Sequence, residues 1–290
     1  MSTNQPLVVI VGPTASGKSS LAMRVAEKFN GEIICADSRT IYKGMDVGTA
    51  KPSAVDQLKV PHWGLDLVEP GERFTVADFK DYVVKKIAEI RSRGKLPMLV
   101  GGTGLYIDAV VFDYKFGDTD LNLRSKLEKL SLDELLKWCK EYNIILPENT
   151  KNRRYLIRAI EQGGASEKGY GEIIDNTVVV GIATEKATLN KRIEDRAEQL
   201  FADGVVEEAI KLGKKYGWDN EAMTGNIYRL TKMYIDGKIS RTELKERFII
   251  SDRQLAKKQL TFMKRNEHIK WLSLEEAENY LTNFLGDVLL

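Results

Sequence analysis

The residues Gly12-Pro13-Thr14-Ala15-Ser16-Gly17-Lys18-Ser19 directly follow the β-branched run Leu7-Val8-Val9-Ile10-Val11, and this junction constrains the chain more than any other feature. A buried strand that breaks into a glycine-bracketed loop ending in Lys-Ser reads as a phosphate-binding loop. Gly12 and Gly17 let the backbone turn tightly, so that several N–H groups face one hollow and the following helix aims its positive end there. Lys18 adds a full charge, and Ser19 offers a hydroxyl to Mg²⁺. Leu21, Ala22, Val25, Ala26 and Phe29 then fall on one helical face, which supplies the required strand, loop and helix context. The eight residues from Gly12 to Ser19 are therefore expected to bind a diphosphate, a triphosphate or a nucleotide. The loop alone does not say whether a phosphoryl group moves.

The chain has 290 residues, enough for one large core or a core with an inserted subdomain. Its formal charge is only +2, so a nucleic-acid surface has to be a local patch. Cys35 and Cys139 have no CxxC partner and His62 and His268 are the only histidines, a composition that argues against a zinc module and for a reducing compartment. Residues 1–6 are short and polar, and no apolar run approaches the ~20 residues of a membrane-spanning helix. A soluble, cytoplasmic, monomeric protein with no membrane partner is expected.

Three further apolar segments read as buried parallel strands: Glu32 to Ala36, Leu96 to Val100 and Thr177 to Ala183. Pro97 fits a strand start. The helical pattern from Val76 to Arg93 alternates with them, as in a doubly wound α/β sheet. From about Lys115 to Asp175 the strand signal disappears, and leucines and isoleucines recur at helical spacing. The predicted fold is thus α/β: a P-loop parallel-sheet core beginning in residues 1–114, an all-helical insertion over 115–175, and core completion with basic C-terminal helices over 176–290. Lys186 to Lys215 and Arg241 to Met263 read as long amphipathic helices.

Ligands of open α/β sheets sit beyond the carboxyl ends of the strands. That rule selects the phosphate loop, Asp37-Ser38-Arg39-Thr40 and Gly101-Gly102-Thr103-Gly104. Asp37, facing bound phosphate, can organise Mg²⁺, accept a proton or cap a turn. Thr103, flanked by glycines, can hydrogen-bond a phosphate oxygen or only shape a turn. Kinase chemistry lacks support, because no strand ends in a clear Walker-B acid unless Asp37 serves, and no compact Arg-rich lid is evident.

The chain resembles the tRNA dimethylallyltransferases. The resemblance is carried by Gly12 to Ser19, Ala36-Asp37-Ser38, Ile41 to Pro52 with its Gly48-Thr49-Ala50-Lys51-Pro52 end, Pro61-His62, Asp66, and Leu99 to Tyr106. Later blocks are Arg158-Ala159-Ile160-Glu161 and Arg253 to Thr261, so the match runs from about residue 7 to 272. The resemblance implies transfer of a dimethylallyl group from dimethylallyl diphosphate to N6 of the adenine 3′ of the anticodon, with the anticodon stem-loop of tRNA as partner and Mg²⁺ as cofactor. It also implies catalytic roles for Asp37 as general base and for Thr103 near the allylic C–O oxygen. The expected tRNA-binding set is Asp37, Ser38, Arg39, Thr40, Thr103, Arg124, Arg154, Arg158, Thr224, Arg229, Arg253, Lys257 and Lys258. Residues 241–270 hold nine Lys or Arg against four Asp or Glu, a composition that suits either a solvated face or RNA phosphates.

Some positions depart from the family pattern. Thr224 stands where many relatives carry Arg, which leaves Arg229 as the nearest basic stand-in; Thr40 stands where Gln is common; Tyr155 stands where Arg is common; and the insertion reads as shorter than usual. Lys51 reads equally as a solvated loop lysine, and His62 receives no catalytic role. Tyr106 and Trp271 read as packing residues rather than base-stacking platforms. The alternatives are an adenylate isopentenyltransferase, a P-loop small-molecule kinase and a non-catalytic RNA-binding protein.

Overall fold

A computed structural model describes residues 5–116, 120–163 and 171–289; of the polar opening stretch 1–6, residues 1–4 lie outside the described residues. In chain order the elements are β1 (Leu7–Val11), α1 (Lys18–Phe29), β2 (Gly31–Ala36), α2 (Ala54–Lys59), β3 (His62–Trp63), α3 (Val76–Ser92), β4 (Leu96–Gly101) and α4 (Gly104–Val111). There follow α5 (Leu121–Leu127), α6 (Leu132–Glu141), α7 (Arg153–Glu161), β5 (Thr177–Ile182), α8 (Lys186–Ala202) and α9 (Val205–Tyr216). A 3-10 turn (Ala222–Thr224), α10 (Asn226–Ile235), α11 (Arg241–Met263), β6 (Lys270–Leu272) and α12 (Leu274–Leu289) complete the order.

The six strands form one parallel sheet in the order β3-β2-β4-β1-β5-β6. Both faces are covered, which explains why the central strands read as unbroken apolar runs. On one face Val8 and Ile10 pack with Leu21, Ala22 and Val25 of α1 and with Leu281 and Leu285 of α12. On the other, Leu7, Val9 and Val11 pack with Phe79, Val83 and Ile87 of α3 and with Ile107, Val110 and Val111 of α4. Helix α3 starts on a Thr75–Asp78 capping box.

The helices that follow the adjacent strands β1 and β4 lie on opposite faces. The crevice between their carboxyl ends is therefore the place where such sheets bind ligands. In the pairing register Gly101 stands opposite both Val11 and Ala36. Hence Gly12, Asp37 and Gly102, each the next residue of its strand, leave the sheet at one level.

Two differences from the sequence reading have local causes. The single helix expected over Lys186 to Lys215 is two, α8 and α9, because the backbone at Gly204 takes φ 87°, a left-handed conformation that ends one helix and starts the next. Strands β3 and β6 were not foreseen, since two and three residues are too short to show a period.

The chain divides into two compact units, Met1–Asp113 with Ile173–Leu290, and Tyr114–Glu172. Ile173 and Ile174 pack against the sheet core, so the last residues of the stretch read as insertion go with the sheet. The smaller unit has its own core of Leu127, Leu135, Cys139, Leu156, Ile157 and Ile160. Its α6 is fixed at the start by a Ser131–Glu134 capping box.

Candidate active site

The phosphate loop is shaped by two left-handed residues, Ala15 (φ 61°) and Gly17 (φ 92°). A Cβ at Gly12 would stand 2.6 Å from Ser16 Oγ, a buried hydroxyl without a partner among the described residues. Lys18 Nζ donates to Pro13 O at 3.2 Å, which folds the ammonium back over the loop. Burial lowers the Lys18 pKa to about 8; the nearby Asp37 carboxylate opposes that shift and the Arg196 guanidinium adds to it. A bound diphosphate favours the ammonium form, so the bound-state pKa lies above the free value. The Lys18 contribution to diphosphate affinity, read against a Lys18→Met variant so that titration of the ligand cancels, is accordingly expected to be constant below pH 8 and to fall as the pH rises above it, by at most about tenfold per pH unit. Calorimetric titration of both proteins with inorganic pyrophosphate across that range measures this, and a contribution that stays flat well above pH 8 contradicts it.

The ends of β2 and β4 are tied to each other. The Thr103 N–H donates to Ala36 O at 3.2 Å, and the Ser38 N–H donates to Thr103 Oγ1 at 3.1 Å. The Thr103 oxygen is thus used as an acceptor, while its own proton has no acceptor among the described residues. A Cβ at Gly101 would collide with the Ala36 carbonyl, so glycine is required for this close approach. Asp37 Oδ1 accepts the Arg39 N–H at 2.8 Å. The turn-capping role is therefore present, and it leaves Oδ2 for another partner. Thr40 is buried, with its hydroxyl donating back to Asp37 O at 3.3 Å.

Arg39 is half-buried, and its guanidinium reaches across to the 3-10 turn. Its Nη1 donates to Glu221 O (2.6 Å) and Ala222 O (3.2 Å), and its Nη2 donates to Thr224 Oγ1 (3.0 Å). The guanidinium beside Thr224 is consequently that of Arg39. Arg229, taken from the sequence as the stand-in, is an exposed residue of α10.

Sequence reasoning missed four residues at the loop. Arg192 Nη1 donates to Ser16 O at 3.2 Å, and Arg196 Nη1 donates to Thr14 Oγ1. Both come from α8, where i and i+4 spacing puts them on one face. The segment Arg192-Ile193-Glu194-Asp195-Arg196 reads in the sequence only as part of an amphipathic helix, and its position after a core strand is the available signal. Gln259 Oε1 accepts the Thr14 N–H at 2.9 Å, and a Cβ at Gly102 would stand 2.6 Å from its Nε2. Asp252, only 5 % exposed, lies 3.4 Å from Arg196 and accepts from Asn226 Nδ2 at 3.1 Å. Burial raises its pKa, with the arginine and the amide opposing the shift.

Several other sequence candidates have structural tasks. Lys51 is not solvated: its Nζ, on a side chain 5 % exposed, donates to Tyr42 O, Asp46 and Asp66. Tyr106 stacks on Phe79 at 4.0 Å between centroids, and Trp271 of β6 packs over Gly181 of β5. His62 lies in edge strand β3 with Nδ1 2.8 Å from Val60 O. In the smaller unit Arg124 and Arg158 both bond to Glu161, a side chain 1 % exposed, while Arg154 is exposed on α7. On α11, Arg253 pairs with Glu194, and Lys257 and Lys258 are exposed.

Residues 40–266 match the family model described as IPP transferase. The chain is 37% identical over 287 residues to the tRNA dimethylallyltransferase of Pelotomaculum thermopropionicum, covering 93% of this chain and 91% of that one. It is 34% identical over 291 residues to the tRNA dimethylallyltransferase of Bacillus subtilis, with 94% and 92% covered. Among solved structures it resembles the full-length tRNA isopentenylpyrophosphate transferase of Bacillus halodurans, with TM-score 0.75, 34% identity and coverage of 98% of this chain and 96% of that chain. A matched family model over most of the length and near-complete overlap with relatives above 30% identity lead to one conclusion: the chain belongs to the IPP transferase family, the family of the tRNA dimethylallyltransferases.

Proposed function

We propose that this chain moves a dimethylallyl group from dimethylallyl diphosphate to N6 of the adenine 3′ of the anticodon of tRNA, releasing diphosphate. The observation that carries the reading is the convergence of a phosphate loop, a capped carboxylate with one free oxygen, and a hydroxyl whose proton is unspent, all at one level of the sheet. N6 attacks C1 of the allyl group, the C1–O bond breaks, and the bond electrons leave with the diphosphate.

Each residue has a task in that step. The loop N–H groups, Lys18, Arg192 and Arg196 stabilise negative charge growing on the leaving group. Thr103 donates its proton in a hydrogen bond to the oxygen that separates from C1. Asp37 Oδ2 orients the amine and takes its proton; an adenine amine needs this because its lone pair is delocalised into the ring. Ser19 has an exposed hydroxyl at the start of α1, a hard oxygen donor suited to Mg²⁺ that is shared with substrate phosphates. When bound, Mg²⁺ supplies further charge to the leaving diphosphate. Among the described residues no cluster of His, Cys, Asp and Glu forms a separate metal site.

On the larger unit this reading assigns RNA contact to the exposed Lys257, Lys258 and Arg229, and on the smaller unit, taken by itself, to the exposed Arg154, which also has a partner within the protein. Arg253, Arg124 and Arg158 share their charge with carboxylates, so their contribution to phosphate binding is smaller. Among the described residues no helix is long and apolar enough to cross a membrane, and a tRNA acceptor makes the cytoplasm the working compartment. Neutralising Lys257 and Lys258 together is expected to weaken tRNA binding and to flatten its log–log salt slope by about 1.5, from roughly 0.7–0.9 per phosphate contact. Affinity for dimethylallyl diphosphate is expected to stay unchanged. An unaltered slope would assign these lysines to a solvated face.

Incubation with dimethylallyl diphosphate and unmodified tRNA, AMP or no acceptor tests the function. Prenyl transfer to tRNA alone is expected. Transfer to AMP would instead favour the free-nucleotide acceptor.

A further inference from the structure

We propose that Arg39 is a positioning residue for Asp37, holding the carboxylate in the geometry that leaves Oδ2 for the acceptor amine. The inference rests on the reading of Asp37 as the base. Two bonding sets meet in this one residue. Its backbone N–H caps Asp37 Oδ1 at 2.8 Å, and its guanidinium grips Glu221 O, Ala222 O and Thr224 Oγ1 at 2.6, 3.2 and 3.0 Å. The fork of a guanidinium suits such multiple acceptors, and a lysine cannot reproduce it.

The anchor is itself fixed. Ala222 and Met223 are 0% and 2% exposed and belong to the helical core under α9 and α10. The Met223 N–H donates to Asn220 Oδ1 at 3.2 Å, and the Thr224 hydroxyl donates to Glu221 O at 2.7 Å. Asn226 is held by the buried Asp252. Beyond Arg39 the loop is held by the Asp66 N–H to Thr40 O and by the Tyr42–Val68 bridge, whereas within residues 37–39 the ties to other segments are the Ser38 N–H to Thr103 Oγ1 and the Arg39 fork. Releasing the fork frees the Asp37–Arg39 turn to rotate, and a small misplacement of a catalytic group is enough to slow chemistry. Arg39 thereby acts on the rate through Asp37, with its guanidinium committed to the Glu221–Thr224 turn.

Single-turnover prenyl transfer at saturating tRNA, combined with separate binding of tRNA and dimethylallyl diphosphate, tests this in the intact chain. Arg39→Ala is expected to slow the single turnover by about 10–100-fold, the range of an orientation loss, with both affinities within about twofold of the parent. Arg39→Lys should recover part of the rate, and Thr224→Val, which removes one of the three acceptors, should give a smaller loss of the same kind. In an Asp37→Ala background, Arg39→Ala should cost nothing further, because the two changes remove one function. An unchanged rate in Arg39→Ala, a loss that appears in tRNA affinity, or losses that multiply in the double variant would each overturn the proposal. A normal rate in Asp37→Ala alone would instead remove the base assignment on which it rests.

Discussion

Asp37→Ala is expected to lower the rate of prenyl transfer by about 10²–10⁴-fold, the range of a lost acid–base group, while binding of dimethylallyl diphosphate changes little. The geometry explains the separation. The carboxylate sits at the end of β2, and its Oδ1 is spent on the Arg39 N–H, so only Oδ2 is available to chemistry. In the proposed reading the diphosphate rests on the loop backbone and Lys18, with Arg192 and Arg196 bonded to the loop, and needs no contact from Asp37. Asp37→Asn is the control, because the amide oxygen keeps the cap on the Arg39 N–H and only the basic oxygen is lost. A slow Asn variant with an intact fold assigns the effect to proton acceptance. Near-normal single-turnover rates in both variants would leave Asp37 with the capping role alone.

Lys18→Ala is expected to weaken diphosphate binding and to slow the chemical step by about 10²–10³-fold, the usual cost of removing one donor from a preorganised oxyanion site. The ammonium is buried against Pro13 O, in a place where burial already lowers its pKa to about 8. A charge held at that cost in the free protein is stabilised most when an anion arrives, and more again as the C–O bond breaks. Arg192 and Arg196 keep some affinity, so binding should fall less than the rate. Stopped-flow binding and single-turnover transfer separate the two effects. A loss of affinity with an unchanged single-turnover rate would mean that Lys18 binds substrate and transition state alike.

Much of the core was legible because its physics is local. Leu7 to Val11 are buried on both faces, and an unbroken β-branched run leading into Gly12 announces that environment. Asp37 and Thr103 are picked out by the rule that parallel sheets put ligands after the strands, which needs only strand positions, and the structure brings the two together at the ends of β2 and β4. The missing parts depend on contacts remote in sequence. Gln259 meets Thr14 across 245 residues, and Arg196 meets it across 182; both were indistinguishable from solvated helix positions in the sequence. Lys51 looked like a loop charge because its carboxylates, Asp46 and Asp66, approach only when the loop folds over it. The acceptors of Arg39 lie more than 180 residues away and are hidden in the sequence for the same reason. The break at Gly204 was visible as Asp203-Gly204, but continuous amphipathic spacing on either side masked it.

The most direct test of the account asks which bond of the diphosphate substrate breaks. Dimethylallyl diphosphate labelled with ¹⁴C in the allyl chain and ³²P in the diphosphate is incubated with unmodified tRNA, and both labels are followed after nucleoside digestion. The account predicts ¹⁴C on N6 of the adenine 3′ of the anticodon, and all ³²P in free diphosphate. Appearance of ³²P on the RNA, or release of labelled phosphate without ¹⁴C transfer, would show P–O cleavage and contradict it.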